Sequence, residues 1–338
     1  MVTAPNNTVG ASSRAPRAEL LDARRDGAIE RAAQIIRAGG LVAFPTETVY
    51  GLGALGLDPL ACARIFEAKR RPHFDPLILH VAEVRAVDAV GHMQPTAIVL
   101  AERFWPGPLT LVLPRHAVVP DIVTSGMQTV AVRVPAHPVA HRLLEAVGTP
   151  VAAPSANPFG RLSPTTAEHV AAGLGDRIDA ILDGGPADRG LESTIIDVTG
   201  DAPALLRAGA IALEEIESLL GRVIDRRLSS SRPAAPGQLE AHYAPRTPLL
   251  LSEPGASTDL RAAGLLTLTR REGDDRFAAV EELSASGDLC QAAVRFFAAL
   301  HRLDERGLDV IYARPLSETG LGVAIMDRLR RAASMTRR

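Results

Sequence analysis

The chain has 338 residues, 46% of them hydrophobic, so it is long enough to build two hydrophobic cores. Its 37 basic and 39 acidic residues leave a formal net charge of −2. This argues against a protein that binds polyanions through bulk charge, and leaves a local basic pocket open. The cysteines Cys62 and Cys290 are far apart in sequence, which predicts neither a disulfide partner nor a zinc site and is typical of a reducing cytoplasm.

No stretch of the sequence approaches the roughly 20 consecutive apolar residues of a membrane span. The N-terminal residues 1–18 have no apolar core of the kind found in signal peptides, and we expect them to form a disordered tail.

The first predicted strand leads into a polar turn. Helical spacing of apolar residues predicts an amphipathic helix from about Leu20 to Ala38, and the apolar run Leu41 to Phe44 predicts a buried strand. Thr46-Glu47-Thr48 follows, with Gly51 and Gly53 beyond it. Hydroxyls, a carboxylate and glycines at the carboxyl edge of a sheet give a ligand donors, acceptors and close backbone approach. An ordinary polar turn is the alternative.

The next helix ends in a basic cluster. Asp58 before a proline is typical of a helix start, and the helix is predicted to end at Lys69-Arg70-Arg71. Lys69 is the only lysine, and every other basic residue is arginine. An ammonium is a compact charge that a planar guanidinium does not replace, so Lys69 is a candidate phosphate ligand. Alternatively, the cluster only complements the negative end of the helix, and the presence of a single lysine is due to chance.

Strands and turns alternate through the middle of the chain. Leu77 to Val81 is a predicted strand, in which His80 is either a core histidine or a ring turned into a pocket. Thr129 to Val134 alternates strictly, so Arg133 between valines must emerge on a wet or ligand-bearing face. A short strand before Pro154 ends in a second polar turn, Ser155 to Pro158. We expect both polar turns at the same sheet edge.

Strands alternating with helices predict an α/β fold with a mixed sheet over residues 19–225. Residues 226–248 are rich in serine, proline and glycine and predict an interdomain linker, yet His242 and Tyr243 are larger than a flexible spacer needs. Further strand and helix patterns predict a second α/β domain over residues 249–338.

Neither standard phosphate-binding loop is present, because the sequence contains no GxxxxGK[ST] and no GxGxxG between a strand and a helix. A nucleotide would instead be held by Lys69 and Arg71 as cations, with Ser155 and Asn157 supplying polar groups. The spacing supports neither a His/Cys metal site nor a Ser/His/Asp triad.

Several motifs occur in order in residues 25–210: PTETVYGL, KRR, FWPGPLTLVL, VAVRVPAHP, AAPSAN, SPTTAEHV and ESTIIDVT. Together they resemble the YrdC/Sua5 family of L-threonylcarbamoyladenylate synthases. PGQLEAHYAP and GLGVAIMDRLRRAA resemble its two-domain Sua5 branch. The resemblance implies a YrdC-like twisted mixed sheet with flanking helices, followed by a smaller Rossmann-like C-terminal domain.

The resemblance also implies an activity, that of a cytoplasmic nucleotidyltransferase. The enzyme would condense L-threonine, bicarbonate or CO2 and ATP into threonylcarbamoyl-AMP and pyrophosphate. The product would serve the N6-threonylcarbamoyl modification of adenosine 37 in tRNAs that read ANN codons, with handover to the tRNA threonylcarbamoyl transferase machinery. Mg2+ is expected on the phosphates, carried mainly by ATP.

Site residues are likewise implied by the resemblance. Those expected to hold ATP are Lys69, Arg71, Asp75, Thr129, Ser155, Asn157, Ser163, Arg207 and Tyr243. Those expected to hold threonine are Thr48, His80, Arg133, the Ala153 backbone and Ser193. No residue is expected to act as a covalent nucleophile.

Two positions depart from the family pattern. Asp75 and Asp327 stand where relatives carry asparagine. Asp75 would put a negative charge near the phosphates, so it either binds Mg2+ or points away from them.

A nucleic-acid-binding module is the competing interpretation, because related single domains have a basic concave surface. The near-neutral charge and the lack of clustered aromatic residues speak against it, and a tRNA titration would decide. A third hypothesis makes the second domain a regulatory or assembly module.

Overall fold

The structure is a computed structural model that describes residues 18–229, 233–239, 242–255 and 259–336. Residues 1–17 of the predicted tail lie outside these ranges. No helix within the ranges has both the length and the apolar composition needed to cross a bilayer.

Eleven strands of the described chain form one large sheet. They are β1 (Glu19–Asp22), β2 (Val42–Phe44), β3 (Gly51–Leu55), β4 (Ile78–His80), β5 (Leu109–Pro114), β6 (Thr129–Arg133), β7 (Val151–Ala152), β8 (Ala180–Asp183), β9 (Thr194–Asp197), β10 (Ala204–Arg207) and β11 (Asp225–Arg226). Across the sheet the order is β1-β8-β2-β3-β7-β4-β6-β5-β9-β10-β11. Both parallel and antiparallel neighbours occur, which confirms the predicted mixed sheet.

Helices cover both faces of this sheet. They are α1 (Ala28–Arg37), α2 (Pro59–Lys69), α3 (Pro95–Phe104), α4 (Asp121–Thr124), α5 (Pro138–Val147), α6 (Ala167–Leu174) and α7 (Leu213–Leu220), with a 3-10 helix at Val84–Ala89. Side chains alternate across β2: Val42 and Phe44 join the core under α1 and α5, whereas Ala43 joins the core under α2, α3 and α6. Around β2 the sheet is therefore buried between two layers of helices.

The second domain is a smaller parallel sheet. Its strands are β12 (Leu249–Leu251), β13 (Ala263–Thr267), β14 (Ala279–Glu282) and β15 (Val310–Ala313), in the order β12-β15-β13-β14. Helices α8 (Leu289–Asp304) and α9 (Gly322–Thr336) and a 3-10 helix at Asp274–Arg276 complete it. Phe296 and Phe297 of α8 are fully buried in the same apolar cluster as the core of the first domain. The two domains thus pack through one continuous core.

The predicted helix from Leu20 to Ala38 is wrong in its first part. Glu19–Asp22 is a strand that pairs in parallel with Ala180–Asp183, and α1 begins only after Gly27, which has a left-handed φ of 80°. The partner strand is distant in sequence, so local periodicity did not reveal this pairing. Strands β3 and β14 and helix α5 were also not predicted.

Candidate functional site

A cavity lies where the two polar turns meet the ends of β4 and β6. The parallel register of β4 and β6 puts His80 beside Arg133, and a backbone bridge joins Gly51 to Ser155 at the second turn. This confirms that both turns lie at one sheet edge. The predicted site residues that line the cavity are Thr48, Arg71, His80, Arg133, Ala153, Ser155, Ser193, Arg207 and Tyr243.

Lys69 ties the end of α2 to the second polar turn. Its Nζ donates to the carbonyl oxygens of Ser155 at 2.6 Å and Asn157 at 2.5 Å. The side chain is only 1% exposed, and burial lowers its pKa well below the usual lysine value. Neighbouring Arg71 lowers the pKa further, whereas the Asp75 carboxylate opposes the shift. Lys69 thus supports the cavity wall from behind.

Arg71 faces the cavity and is fixed by the loop that follows it. Its Nε donates to the Asp75 carbonyl at 3.0 Å, and Nη2 donates to the Pro76 carbonyl at 2.7 Å. The Asp75 carboxylate is also 2.9 Å from Nη2. The carboxylate is thus turned toward Arg71, an orientation that neither of the two alternatives for Asp75 had specified.

Arg207 reaches the same cavity from β10. Its Nε donates to the Ser193 carbonyl and its Nη2 to the Ser193 hydroxyl, both at 3.0 Å. The Ser193 hydroxyl is also 2.7 Å from that of Thr110. We call Lys69, Arg71 and Arg207 the cationic clamp: Arg71 and Arg207 line the cavity, and Lys69 lies behind its wall.

Arg133 forms the other side, as its place among valines predicted. Its Nη1 donates to the Thr48 hydroxyl at 2.8 Å and its Nε to the Gly107 carbonyl at 3.1 Å. Its Nη2 is paired with the Glu47 carboxylate at 2.6 Å, and both side chains are buried. The guanidinium is therefore held in a fixed orientation at the cavity wall.

The second domain contributes Arg328, which is 0% exposed. Its Nη2 donates to the Glu192 carboxylate at 3.0 Å, and the other oxygen of Glu192 accepts from the Ser163 hydroxyl at 2.5 Å. The guanidinium carbon also lies 5.3 Å from the centre of the Tyr243 ring. Because Glu192 lines the cavity, helix α9 takes part in shaping the site.

Asp327, the second departure from the family pattern, lies beside Arg328. Both of its carboxylate oxygens accept from Arg331 Nε at 3.0 Å, and Arg331 Nη2 donates to the Leu228 carbonyl at 2.7 Å. Asp327 therefore helps to attach α9 to the start of the linker.

Four described residues of the linker line the cavity: Pro236, Gly237, His242 and Tyr243. Tyr243 is 1% exposed, and it has a left-handed φ of 64°, which is unusual for a bulky residue. The His242 and Tyr243 rings contact each other at 4.1 Å, and both rings line the cavity. The enclosed volume is about 40 Å³, enough for a few water molecules. This volume is smaller than that of a typical nucleotide site.

Some predicted residues stand back from the lining. Asn157 uses its amide to hold its own turn, donating to the Pro158 and Arg161 carbonyls at 2.9 Å. Thr129 begins β6, four residues before Arg133 and therefore about 13 Å away along an extended strand. Ala153 does line the cavity, and its N–H donates to the Ile78 carbonyl at 2.9 Å.

Two family models match the chain. The model Sua5_yciO_yrdC, described as "Telomere recombination", matches residues 34–209. The model described as "Threonylcarbamoyl-AMP synthase, C-terminal domain" matches residues 211–334. The chain belongs to the Sua5/YrdC family.

Similar proteins cover nearly the whole chain. The threonylcarbamoyl-AMP synthase of Pyrococcus abyssi is 44% identical over 320 residues, which are 90% of this chain and 94% of the relative. That of Bacillus subtilis is 42% identical over 323 residues, 91% of this chain and 93% of the relative. The crystal structure of P. abyssi Sua5 complexed with L-threonine superposes with a TM-score of 0.85 and 42% identity, covering 94% of this chain and 98% of that one.

Sequence reasoning placed Glu47 in the first polar turn, but it did not predict three charged contacts of this Sua5/YrdC site. Glu47 pairs with Arg133, Glu192 accepts from Ser163, and Arg328 arrives from the other domain. Glu47 and Glu192 both lie within motifs that carried the family resemblance, so those motifs were the available signal. The contact of Arg328 spans more than a hundred residues of sequence, so no local pattern revealed it.

Changing Gly237 to alanine should impair this site. Gly237 has a φ of 92°, and an added Cβ would lie 2.8 Å from Arg207 Cδ and 2.9 Å from the Tyr243 hydroxyl. The clash would push the linker away from the clamp, so we expect kcat/KM for ATP to fall about 10- to 100-fold, by steady-state kinetics. Gly273→Ala is the matched control, because its φ is 87° but nothing lies within 4 Å of the added Cβ. Equal losses in both variants would attribute the effect to backbone strain alone.

His80 should make folding stability depend on pH. Burial lowers its pKa to about 3, with Arg133 adding to the shift, against 6.5 for an unperturbed histidine. The folded chain holds this ring neutral, whereas the unfolded chain binds a proton below about pH 6.5. Acidification therefore favours the unfolded chain, and the free energy of unfolding decreases as the pH falls below 6.5. At pH 5 the loss should be about 2 kcal/mol relative to pH 8.

Urea unfolding of wild type and His80→Gln at the two pH values measures this contribution. The variant should lose about 2 kcal/mol less than wild type on acidification. An identical loss in both proteins would show that His80 does not carry the effect.

Proposed function

We propose that this Sua5/YrdC family member is a threonylcarbamoyl-AMP synthase, an enzyme of the nucleotidyltransferase class. It makes threonylcarbamoyl-AMP and pyrophosphate from L-threonine, bicarbonate or CO2, and ATP. The observation that carries the proposal is that Arg71 and Arg207 of the cationic clamp line the same cavity as Arg133. The names of the P. abyssi and B. subtilis relatives support it, as does the threonine bound to P. abyssi Sua5.

Arg133 and Thr48 would hold threonine. A guanidinium binds a carboxylate through two parallel hydrogen bonds, and Arg133 is already oriented by Thr48, Gly107 and Glu47. With its carboxylate fixed, threonine would direct its amine into the cavity. His80 and Ser193, which also line the cavity, are the remaining polar contacts proposed for it.

The chemistry then needs two bonds to form. The threonine amine attacks the carbon of CO2 to form a carbamate and releases a proton. A carbamate oxygen next attacks the α-phosphorus of ATP, and the bond to pyrophosphate breaks. Negative charge increases on phosphate oxygens during this step, so fixed cations stabilise the transition state without a covalent nucleophile. The clamp would supply this stabilisation.

Mg2+ would reach the site on ATP. Within the described ranges, no group of three histidine, cysteine, aspartate or glutamate side chains could hold a metal ion. Asp75 and Glu192, the carboxylates near the clamp, each face an arginine, at 2.9 Å and 3.0 Å. The donor set does not fit a protein-held Mg2+, so we assign the chain no metal ligand.

The linker would act as a cover that opens for ATP and closes over it. The cavity beneath Tyr243 is too small for a nucleotide as it stands, which supports this role. We further propose that the product passes to tRNA threonylcarbamoyl transferase machinery for the modification of adenosine 37 in ANN-decoding tRNAs. A cytoplasmic reaction is in keeping with the ATP it consumes.

Mass spectrometry of a reaction with isotopically labelled threonine, bicarbonate and ATP tests the function. We expect a labelled adenylate with the mass of threonylcarbamoyl-AMP, together with one pyrophosphate per adenylate. Omission of threonine or bicarbonate should abolish both products. Pyrophosphate release that does not require threonine, or tight tRNA binding without any adenylate, would contradict the proposal.

A further inference from the structure

Asp75 is a buried carboxylate at the centre of positive charge. It is 0% exposed and lies in the loop between α2 and β4, with one oxygen 2.9 Å from Arg71 Nη2. That contact lies outside hydrogen-bond geometry, and neither carboxylate oxygen has a hydrogen-bond partner in the described part of the chain. A buried carboxylate without hydrogen bonds is costly, so its presence calls for a physical explanation.

The charges around Asp75 are those of the clamp. Burial raises the pKa of Asp75, whereas Arg71, Lys69 and Arg207 act to lower it, in that order of size. Glu192 is the other carboxylate close to these cations, but it is held by Arg328 from the second domain at 3.0 Å. Asp75 therefore acts as the counter-ion of the clamp itself.

We propose that Asp75 is an internal counter-ion that lowers the affinity of the clamp for phosphates and so promotes release of pyrophosphate. The inference rests on the proposed function. Without a ligand, Asp75 neutralises part of the buried positive charge. Its loop is fixed by the two Arg71 bonds to the Asp75 and Pro76 carbonyls, so the charge stays beside the clamp when phosphates arrive. Asp75 then repels the phosphates, and it limits their affinity.

The size of the effect follows from Coulomb's law. At an effective dielectric constant of about 20, the repulsion between two like charges in one site changes a binding constant by about tenfold or more. Asp75→Asn keeps the shape of the side chain and removes the charge. We expect this variant to bind pyrophosphate about tenfold more tightly than wild type.

Isothermal titration of the full chain with pyrophosphate and, separately, with ATP measures the change, each with and without Mg2+. Asp88→Asn is the matched control, because it removes the same charge from an exposed position outside the cavity lining. Asp88→Asn should bind within about twofold of wild type. Inhibition of turnover by added pyrophosphate should strengthen about tenfold in Asp75→Asn alone.

Thermal unfolding supplies a second readout. Asp75→Asn leaves Arg71 without its counter-ion, so the Tm of the free variant should be lower than that of wild type. Added pyrophosphate should raise the Tm of the variant more than that of wild type. If Asp75→Asn does not fold, Asp75→Ser removes the same charge with a smaller side chain and should also tighten binding.

The outcomes separate the two proposals. Unchanged pyrophosphate affinity in Asp75→Asn, with normal binding by wild type, would overturn the counter-ion role and leave the proposed function intact. Weaker binding that appears only with Mg2+ would also overturn it, by making Asp75 a metal ligand. A wild-type chain that binds neither ATP nor pyrophosphate would overturn both proposals.

Discussion

Replacing Lys69 with alanine should lower threonine-dependent release of pyrophosphate from ATP about 100- to 1000-fold. Lys69 supplies one cation of the clamp and also joins α2 to the second polar turn through the Ser155 and Asn157 carbonyls. Loss of this connection would release the second polar turn, and a displacement of about 1 Å in the groups that line a site typically costs about 100-fold in rate. Steady-state measurement of pyrophosphate tests the expectation.

Lys69→Arg should be nearly as inactive as Lys69→Ala. The ammonium donates to two carbonyls in a slot that is only 1% exposed, and a larger planar guanidinium does not fit that geometry. Arg70→Gly is the control, because Arg70 is adjacent, exposed and basic, and its left-handed φ of 53° suits glycine. Full turnover in Lys69→Ala, or an equal loss in Arg70→Gly, would contradict the role assigned to Lys69.

Arg133→Lys should raise the KM for threonine about 100-fold while the chain stays folded. The variant keeps a positive charge opposite Glu47 but loses the fork that binds a carboxylate through two hydrogen bonds. The KM for ATP should change much less, since we propose the clamp, and not Arg133, as the site of the phosphates. Initial rates with one substrate varied at a time separate the two constants.

Arg115→Lys is the matched control for this change. Arg115 is paired with Asp121 at 2.6 Å, the same distance as between Arg133 and Glu47, but it does not line the cavity. We expect its threonine KM to stay within about twofold of wild type. If Arg133→Lys raised the KM for threonine and the KM for ATP equally, Arg133 would maintain the shape of the whole cavity and would not bind threonine specifically.

Much of the fold could be predicted from local sequence. The Asp58 side chain accepts from the Leu60 and Ala61 N–H groups at the start of α2, as its position before a proline predicted. The alternation around Arg133 gave β6 and its polar face correctly. These features depend on neighbouring residues alone, so the sequence contains them directly.

The errors occurred where pairing partners are distant. Strand β1 was assigned to a helix because its parallel partner, β8, lies more than 150 residues away. Strand β3 was interpreted as part of a glycine-bordered turn, since its glycines suppress the strand signal although they pair with β2. In both cases the tertiary structure overrides local preference.

The sequence alone supplied the candidate groups for the chemistry. A single lysine and two polar turns after short strands indicated a phosphate clamp, an arginine between valines indicated a wet or ligand-bearing face, and the family resemblance implied that this arginine binds a carboxylate. Only the tertiary structure decided how these groups are held. Glu47, Glu192 and Arg328 come from distant segments and neutralise or orient the charged side chains, and Asp75 faces Arg71. The physical reason is burial: a charge removed from water needs a partner, and folding determines which partner it meets.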